Sequence, residues 1–427
     1  MAAGVYSEGG RPVAGSALTN RALIPSGVTL RSVAGPTRTV IVGQPDPVRT
    51  NGPAAIRGAW LQPGSALIGF TLSNGFTAAE GSVIDRRGGG AYAQSAVISQ
   101  CWFVGNGAIE GGGATLQEAT LAEARFWENR AASGGALVLD SGSKAVNSLF
   151  YRNTAESAGG AIWALGQAQL RHLTIARNNA GLQGGGVACE SSVLIQNSIL
   201  YFNQAPAGEN LYCKSGVPSV SYSCLYPVLP GPGNTEADPE FQNDNDDNFH
   251  LRYGSPCLDR AAFSSPPLTN DLDGVLRPID GDYNDDPRPD MGAFEYDGAT
   301  TDTDGDGIPD DWEHQHGLNP RSEEDRDLDY DGDSYANWAE YVADTDPFLS
   351  SSYLKIVAVS NTTPFTLWFD SSAHRLYRLL AATSLTDQVW TEVPGAGPTR
   401  GSGRQMFLQD TNARPDCLFY RLRVDVP

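Results

Sequence analysis

The chain has 427 residues, with 50 acidic and 29 basic side chains and a formal net charge of −21 at pH 7. This length exceeds one ordinary domain, so we expect several structural units. An acidic excess without a basic stripe argues against nucleic acids and anionic membranes as partners.

Residues 88 to 203 contain a repeat of about two dozen residues. Each copy has a Gly-Gly step, such as Gly112-Gly113-Ala114, followed by an apolar residue and then an asparagine three positions later, such as Phe126 and Asn129. Repetition at this period is typical of a solenoid, and short β-branched or aromatic runs broken by glycine and asparagine favour strands over helices.

The repeat predicts an all-β fold, a right-handed parallel β-helix over residues 1–235. One coil cannot bury its apolar face alone, so it stacks on the next coil at the spacing of neighbouring strands, about 4.8 Å. Glycines supply turns with positive φ, and stacked asparagine side chains are expected to hydrogen-bond along the axis at the corners.

One column of the repeat predicts an exposed aromatic strip. The residue after each repeated apolar position should point outward, because strand neighbours alternate between faces. Flat rings can stack on sugars and guanidinium groups can hold carboxylates. A carbohydrate-binding strip is one interpretation, and aromatic cover over the face or under a loop is the other, which the sequence favours. The strip comprises Trp127, Tyr151, Arg152, Arg177 and Tyr201.

The repeat region contains no obvious catalytic constellation. Its carboxylates do not form the adjacent or stacked aspartate cluster that a β-helix hydrolase would need. His172 and Arg177 could serve as the base and cationic partner of a polysaccharide lyase. A histidine on a polar column is more often a turn residue, so we predict no catalytic residues.

Residues 236–300 are acidic and irregular, and we expect them to cap the open end of the β-helix. The six cysteines show no metal-binding spacing, and Cys213 with Cys224 is the pair we would test for a disulfide.

Two tandem Asp-rich segments in residues 301–348 have the spacing of calcium loops. Each places oxygen ligands at loop positions 1, 3, 5, 9 and 12, with a backbone carbonyl at position 7, which suits a hard cation. Ser334 departs from the glycine expected at position 6, which Gly307 supplies in the first loop. The predicted ligands are Asp302, Asp304, Asp306, Ile308, Asp310 and Glu313 in the first loop, and Asp329, Asp331, Asp333, Tyr335, Asn337 and Glu340 in the second.

Alternating apolar runs from residue 353 onward predict a small β-sandwich over residues 349–427. One of these runs begins at Phe365 and another at Leu418.

These motifs resemble known families. The Gly-Gly and Phe-x-x-Asn repeat resembles the pectin-lyase-like right-handed β-helix superfamily, and locally the repeats of polymorphic outer-membrane proteins. Asp238-Pro-Glu-Phe241 and Asp290-Met-Gly-Ala-Phe-Glu-Tyr296 are similar to the choice-of-anchor Q segment that follows such β-helices in exported bacterial proteins. Residues 302–346 resemble bacterial thrombospondin type 3 repeats, to which Asp325 and Asp327 also correspond. That resemblance implies bound calcium and a stiffened stalk.

We therefore expect an exported, calcium-binding β-helix protein that acts as a surface or extracellular binding and scaffold protein, with a polysaccharide or cell-surface glycan as its partner. A polysaccharide lyase or glycoside hydrolase is the alternative. The N-terminus lacks a signal peptide and no apolar run could span a bilayer. Because calcium loops of millimolar-type affinity suit the outside of a cell, we expect a secreted or cell-surface protein whose leader is missing.

Overall fold

The computed structural model describes residues 1–140, 142–360, 362, 364–386, 389–412 and 419–427. Leu418, predicted to begin the last strand, and Cys417 lie outside the described residues. The chain forms two compact units, Met1–Asp297 and Gly298–Pro427. No described helix is both long enough and apolar enough to cross a membrane.

The first unit contains a parallel β-helix, as predicted. Strands from successive coils pair in parallel and in register, so that Phe103 lies beside Phe126 in the next coil and Phe126 beside Phe150. Sheet A has eight strands: Thr19–Ile24, Ile56–Leu61, Ala91–Gln94, Ala114–Gln117, Leu137–Leu139, Ile162–Ala164, Val187–Cys189 and Leu211–Cys213.

Two further faces of the β-helix meet at a bend. Sheet B contains Thr29–Arg31, Ala66–Ile68, Val97–Ser99, Thr120–Ala122, Leu194–Gln196 and Ser219–Ser221. Sheet C contains Gly4–Tyr6, Thr39–Val42, Thr71–Ser73, Trp102–Val104, Arg125–Trp127, Ile199–Tyr201 and Cys224–Leu225. The longer strands Lys144–Tyr151 and Gln169–Ala176 run through both sheets.

The bend has the same backbone conformation in successive coils. Asn147, His172 and Asn197 have φ of 49°, 50° and 55°, in the left-handed region. Residues other than glycine rarely adopt this backbone region, and asparagine and histidine are among those that tolerate it. A smaller sheet D, with strands Gly107–Glu110, Arg130–Ser133, Thr154–Ala158 and Asn179–Ala180, follows the next corner.

A ladder of buried asparagines joins the coils at that corner. The Nδ2 group of Asn129 donates to Oδ1 of Asn153 at 2.9 Å, and Asn153 repeats this bond to Asn178. Each amide also donates to backbone carbonyls, as Asn153 does to Phe126 at 2.9 Å. The predicted axial hydrogen bonds are therefore confirmed. The ladder comprises Asn106, Asn129, Asn153, Asn178, Asn203 and Asn210.

The repeated apolar residues fill the interior of the coils. Phe103, Phe126 and Phe150 are fully buried and stack with ring centroids 4.3 and 4.8 Å apart. Leu200 and Ile175 continue the same buried column. The stacked coils therefore bury apolar side chains that a single coil would leave exposed.

Residues 236–297 lie along the side of the β-helix, and their expected role as a cap for its end stays a prediction. Their apolar residues form a separate buried cluster with Leu149, Ala176 and Ile199 from sheet C. A short antiparallel hairpin, Phe241–Asn243 with Asn248–Leu251, belongs to this segment. The segment after the last coil, residues 226–235, approaches the end instead, where Leu229 packs against the β-helix core.

The disulfide also differs from the predicted pair. Cys213 is linked to Cys189, its in-register neighbour one coil earlier, with the two Cα atoms 4.6 Å apart. Cys224 is a buried free thiol. Parallel stacking brings residues one repeat apart together, whereas Cys213 and Cys224 lie at different positions of the repeat.

The second unit combines the Asp-rich segment with two antiparallel sheets. Helix α1 (Asp310–Gln315) and helix α2 (Asn337–Ala343) each follow one Asp-rich loop. Sheet E contains Ile356–Ser360, Phe365–Asp370 and Gln405–Asp410, and sheet F contains Leu376–Ala382, Thr391–Glu392, Thr399–Arg400 and Phe419–Asp425. Leu367 and Phe369 of sheet E and Tyr377 and Leu379 of sheet F share one buried core, as expected for a sandwich.

Candidate metal centre

The two Asp-rich loops have the same local geometry because their first aspartate binds backbone amides further along. Asp302 accepts hydrogen bonds from the amides of Gly305 and Gly307, at 2.7 and 2.8 Å. Asp329 accepts from Gly332 and Ser334 at 2.7 and 2.9 Å. These bonds curl each loop around its own carboxylates.

Position 6 is left-handed in both loops. Gly307 has φ of 95° and Ser334 has φ of 79°. Ser334 therefore adopts the conformation that its loop requires, although glycine would adopt it without strain. The departure noted in the sequence does not change the path of the second loop.

Acidic side chains from three parts of the segment converge at the first loop. One oxygen of each of Asp302, Asp304 and Asp306 lies within 4.8 Å of the others, and the same holds for Asp306, Glu313 and Asp325. Asp306 belongs to both groups. Glu313 is fully buried, and Asp325 is 4% exposed. The arrangement could hold a metal ion.

Several of these oxygens have no hydrogen-bond partner among the described residues. They are Oδ2 of Asp304, Oδ2 of Asp306, both Oε atoms of Glu313 and Oδ1 of Asp325. A buried carboxylate without a partner is costly, because its charge has lost water and gained nothing in return. A cation at the centre of the group would satisfy all of them together.

The electrostatics point the same way. Burial raises the pKa of Glu313 to about 9, with further increases from Asp304, Asp306 and Asp325. Burial and neighbouring carboxylates also raise the pKa of Asp306 to about 6. Both shifts result from burial and from the neighbouring negative charges at this position.

The second loop forms a similar but more open group. Oxygens of Asp329, Asp331 and Asp333 lie within 4.8 Å of one another. Oδ1 of Asn337 and Oε2 of Glu340 lack partners among the described residues, as do Oδ2 of Asp331 and Oδ2 of Asp333. Glu340 is 1% exposed, and burial together with Asp331 raises its pKa to about 7.

The two loops are connected through Asn337. Its Nδ2 group donates to the backbone carbonyl of Asp325 at 2.7 Å, while its Oδ1, a predicted ligand of the second loop, has no hydrogen-bond partner among the described residues. Asp325 contributes its side chain to the first group. This hydrogen bond therefore joins the backbone of Asp325, a member of the first acidic group, to Asn337, a predicted ligand of the second loop.

One predicted ligand of the first loop, Asp310, lies outside both close acidic groups. Asp310 is fully buried, and its carboxylate accepts hydrogen bonds from the amide and hydroxyl of Thr303, at 2.7 and 2.6 Å. It is not a member of either acidic group at this loop. Asp325, outside the twelve-residue loop, supplies the additional carboxylate. The spacing rule of a single loop could not identify it, because it lies in the Asp-rich chain that leads into the second loop.

The two predicted backbone ligands occupy different surroundings. Ile308 is fully buried and packs with Trp312 and Leu318. Tyr335 is 44% exposed. That their carbonyls bind a cation stays a prediction.

A third acidic group lies in residues 236–297, where oxygens of Asp259, Asp280 and Asp282 approach within 4.8 Å. Asp259 already accepts hydrogen bonds from the amides of Gly281 and Arg288, both at 2.9 Å. Backbone amides therefore satisfy its carboxylate, unlike that of Glu313.

Residues 236–297 cover most of the predicted aromatic strip. Tyr151 packs against Phe249 with ring centroids 5.5 Å apart, and the hydroxyl of Tyr201 donates to the carbonyl of Glu236. Trp127 is half-buried and stacks on Tyr151. These contacts are those of the packing interpretation, and sugar binding by the strip stays a prediction.

The two arginines of the strip are paired with carboxylates of the same segment. Nε of Arg152 lies 2.7 Å from Asp247, and Nε of Arg177 lies 3.0 Å from Asp244. The cationic partner proposed for a lyase is therefore engaged in an ion pair.

His172, considered as a lyase base, is buried at 1% exposure. Its Nε2 lies 2.8 Å from Nδ2 of Asn197 and its Nδ1 lies 3.0 Å from Nη1 of Arg277. Burial and the charge of Arg277 lower the pKa of His172 to about 3. Both ring nitrogens are occupied beneath the 236–297 segment, where a polysaccharide cannot reach them.

Comparison with known proteins adds no relative. No protein-family model matches the chain, and no curated protein or solved structure is significantly similar to it. The fold is that of a parallel β-helix followed by antiparallel sheets, and the function rests on the site itself.

Proposed function

We propose that this chain is an exported binding and scaffold protein whose Asp-rich segment is held in shape by calcium. The observation that supports calcium most is Glu313, a fully buried side chain with two unpartnered oxygens among other unpartnered carboxylates. Calcium takes six to eight oxygen ligands in flexible geometry and accepts a bidentate glutamate. Magnesium prefers a small octahedral shell that retains several waters, which fits a buried multidentate group less well.

The role of the cation is structural, because its surroundings connect to the sandwich. Glu340 lies on helix α2, and Nε of Arg375 donates to the carbonyl of Val342 in the same helix at 3.0 Å. Arg375 is 5% exposed, and its Nη2 lies 3.5 Å from Asp344. A cation that fixes Glu340 thereby also fixes the helix that sheet F holds through Arg375.

Export is supported by two features. Loops of this kind with modest affinity fill only where calcium is abundant, as it is outside cells. The Cys189–Cys213 disulfide is of the kind that persists in oxidising compartments. The β-helix then serves as a long scaffold surface, and a glycan is the partner that we propose for the protein.

The proposal is tested by calcium titration of the metal-free full-length chain. Because calcium binds only the folded state, it should raise the melting temperature of the second unit as concentration increases. Glu313→Gln should remove most of that rise, whereas Glu323→Gln, an exposed glutamate of the same segment, should retain it. If calcium moves no transition, or if magnesium moves it equally at the same concentration, the proposed calcium site is wrong.

A further inference from the structure

A cleft in the second unit lies between helix α2 and sheet F. It has a volume of about 680 Å³, and its walls include four aromatic residues from separate parts of the sequence, Tyr335, Trp338, Tyr353 and Trp390. Pockets lined by aromatic side chains with a few polar groups are the usual form of a small-ligand site.

Two of these aromatic rings form an ordered pair. Tyr335 and Tyr353 lie nearly parallel, with an interplanar angle of 11° and centroids 6.0 Å apart. They are 44% and 37% exposed. Flat, exposed, amphipathic rings suit a sugar, because a pyranose offers an apolar C–H face to the ring and hydroxyl groups to the polar edges.

The sheet F side of the cleft includes two arginines. Arg421 and Arg423 lie two residues apart on the strand Phe419–Asp425, so they share its outer face. Arg423 pairs with Asp425 at 2.7 Å. Arg421 is exposed, and no ion pair involves it in the part of the chain that the structure describes. A guanidinium in this position can hold a carboxylate through two parallel hydrogen bonds.

The cleft shares residues with the second Asp-rich loop. Tyr335 lies two residues after Asp333 of the loop, and Glu340 both lines the cleft and carries an oxygen that lacks a partner among the described residues. Occupation of the loop by a cation would therefore fix one wall of the cleft. This connection makes the state of the loop relevant to any ligand of the cleft.

We propose that this cleft binds an acidic carbohydrate and does so only when the second loop holds its cation. The aromatic pair supplies a stacking surface for one sugar ring, and Arg421 holds a uronic acid carboxylate. The inference rests on the proposed calcium site and assigns the glycan site to the second unit instead of the β-helix strip.

The test uses the full-length chain and isothermal titration with a galacturonic acid trisaccharide, compared with a neutral glucose trisaccharide. Calcium-loaded protein should bind the acidic sugar more tightly than the neutral one, and chelation should abolish binding. Tyr353→Ala should weaken binding by about tenfold or more, as expected for a central aromatic contact. Arg421→Gln should remove the preference for the acidic sugar.

Phe348→Ala is the matched control, because Phe348 is also exposed and stacks on a tyrosine of the same loop, Tyr330, at 5.1 Å. It should leave sugar binding unchanged. Melting curves with and without calcium, recorded for every variant, establish that each is folded and loaded.

If loaded protein shows the calcium-dependent melting shift but binds no acidic trisaccharide at about 1 mM, a value near the weak end of specific binding, this inference fails and the calcium site stands. Unchanged binding in Tyr353→Ala, or binding that survives chelation, would also overturn it. If calcium gives no melting shift, the proposed function itself fails.

Discussion

Nη1 of Arg277 lies 3.0 Å from Nδ1 of His172, so a residue of the 236–297 segment holds a histidine at the bend of the β-helix. The Arg277 side chain is fully buried, and it also donates to the carbonyls of Asp290 and Gly292. The imidazole must remain neutral to accept this bond from a guanidinium. The contact therefore makes the attachment of the segment sensitive to acid.

The first prediction concerns this pH dependence. The pKa of His172 falls from 6.5 to about 3 in the folded protein. The unfolded chain therefore takes up a proton below pH 6.5 that the folded chain does not, and stability is lost as pH decreases toward about 3. In the wild type, this proton uptake should lower the free energy of unfolding by about 1.4 kcal/mol per pH unit over this range. His172→Asn should abolish that decrease.

Asparagine is a suitable replacement because Asn147 and Asn197 occupy the same bend in the neighbouring coils. The free energy of unfolding of the first unit, measured by urea denaturation at several pH values, should differ increasingly between wild type and variant as pH decreases. His374→Asn, at an exposed position of the second unit, is the control. Parallel pH profiles for wild type and His172→Asn would contradict the assignment.

The second prediction separates two aspartates that the sequence alone treats alike. Asp325 is buried within the first acidic group, whereas the side chain of Asp327 is 89% exposed. Asp325→Asn should weaken calcium binding by about tenfold or more, because it removes a charged ligand. Asp327→Asn should leave it nearly unchanged. Calorimetric titration of both variants measures the difference, and equal affinities would show that Asp325 is not a ligand.

The third prediction exchanges position 6 of the two loops. Ser334→Gly should stabilise the second loop by about 1 kcal/mol, since a non-glycine residue in the left-handed region carries strain of this order. Gly307→Ser should destabilise the first loop, because its new Cβ would lie 3.2 Å from the ring of Trp338 as well as at φ of 95°. The two changes should move the calcium-loaded melting temperature in opposite directions. A decrease in Ser334→Gly would disprove the strain argument.

The fourth prediction tests the asparagine ladder. Asn153 accepts from the amide and Nδ2 of Asn129 and donates to Asn178 and to two carbonyls. Asn153→Ala leaves several of these buried groups unpaired, at about 3 kcal/mol or more. Asn179, the strand residue that follows Asn178 of the ladder, is exposed, and Asn179→Ala should change stability by about 0.5 kcal/mol or less. Urea denaturation of the first unit compares the two, and similar losses would mean that the ladder carries no special stability.

The repeat predicted the coils because every copy has the same spacing of glycine, apolar and asparagine positions. A column such as Phe103, Phe126 and Phe150 can be read directly from spacing, and so can the asparagines beside it. The in-register pairing that brings Cys189 next to Cys213 follows from the same rule, but only when the cysteines are aligned to the repeat and not to one another.

The position of residues 236–297 could not be read in this way. Phe241, Phe249 and Phe294 are not spaced periodically, and their partners, such as Leu149 and Ile199, are far away in sequence. Asp325 was matched to the repeats but not counted among the predicted ligands, for a related reason. The twelve-residue motif describes one loop, whereas this group takes a ligand from the chain that leads into the next loop.

The asparagine ladder ends on a residue outside the repeated asparagine column. Its last step joins Asn203 to Asn210, only seven residues later, and Asn210 then donates to the carbonyl of Tyr226 at 2.7 Å. Asn203 makes the same kind of bond to the carbonyl of Tyr201 one coil earlier. The turn that leads into the last coil therefore supplies the final amide of the ladder, and the last coil needs no asparagine of its own in the repeated column.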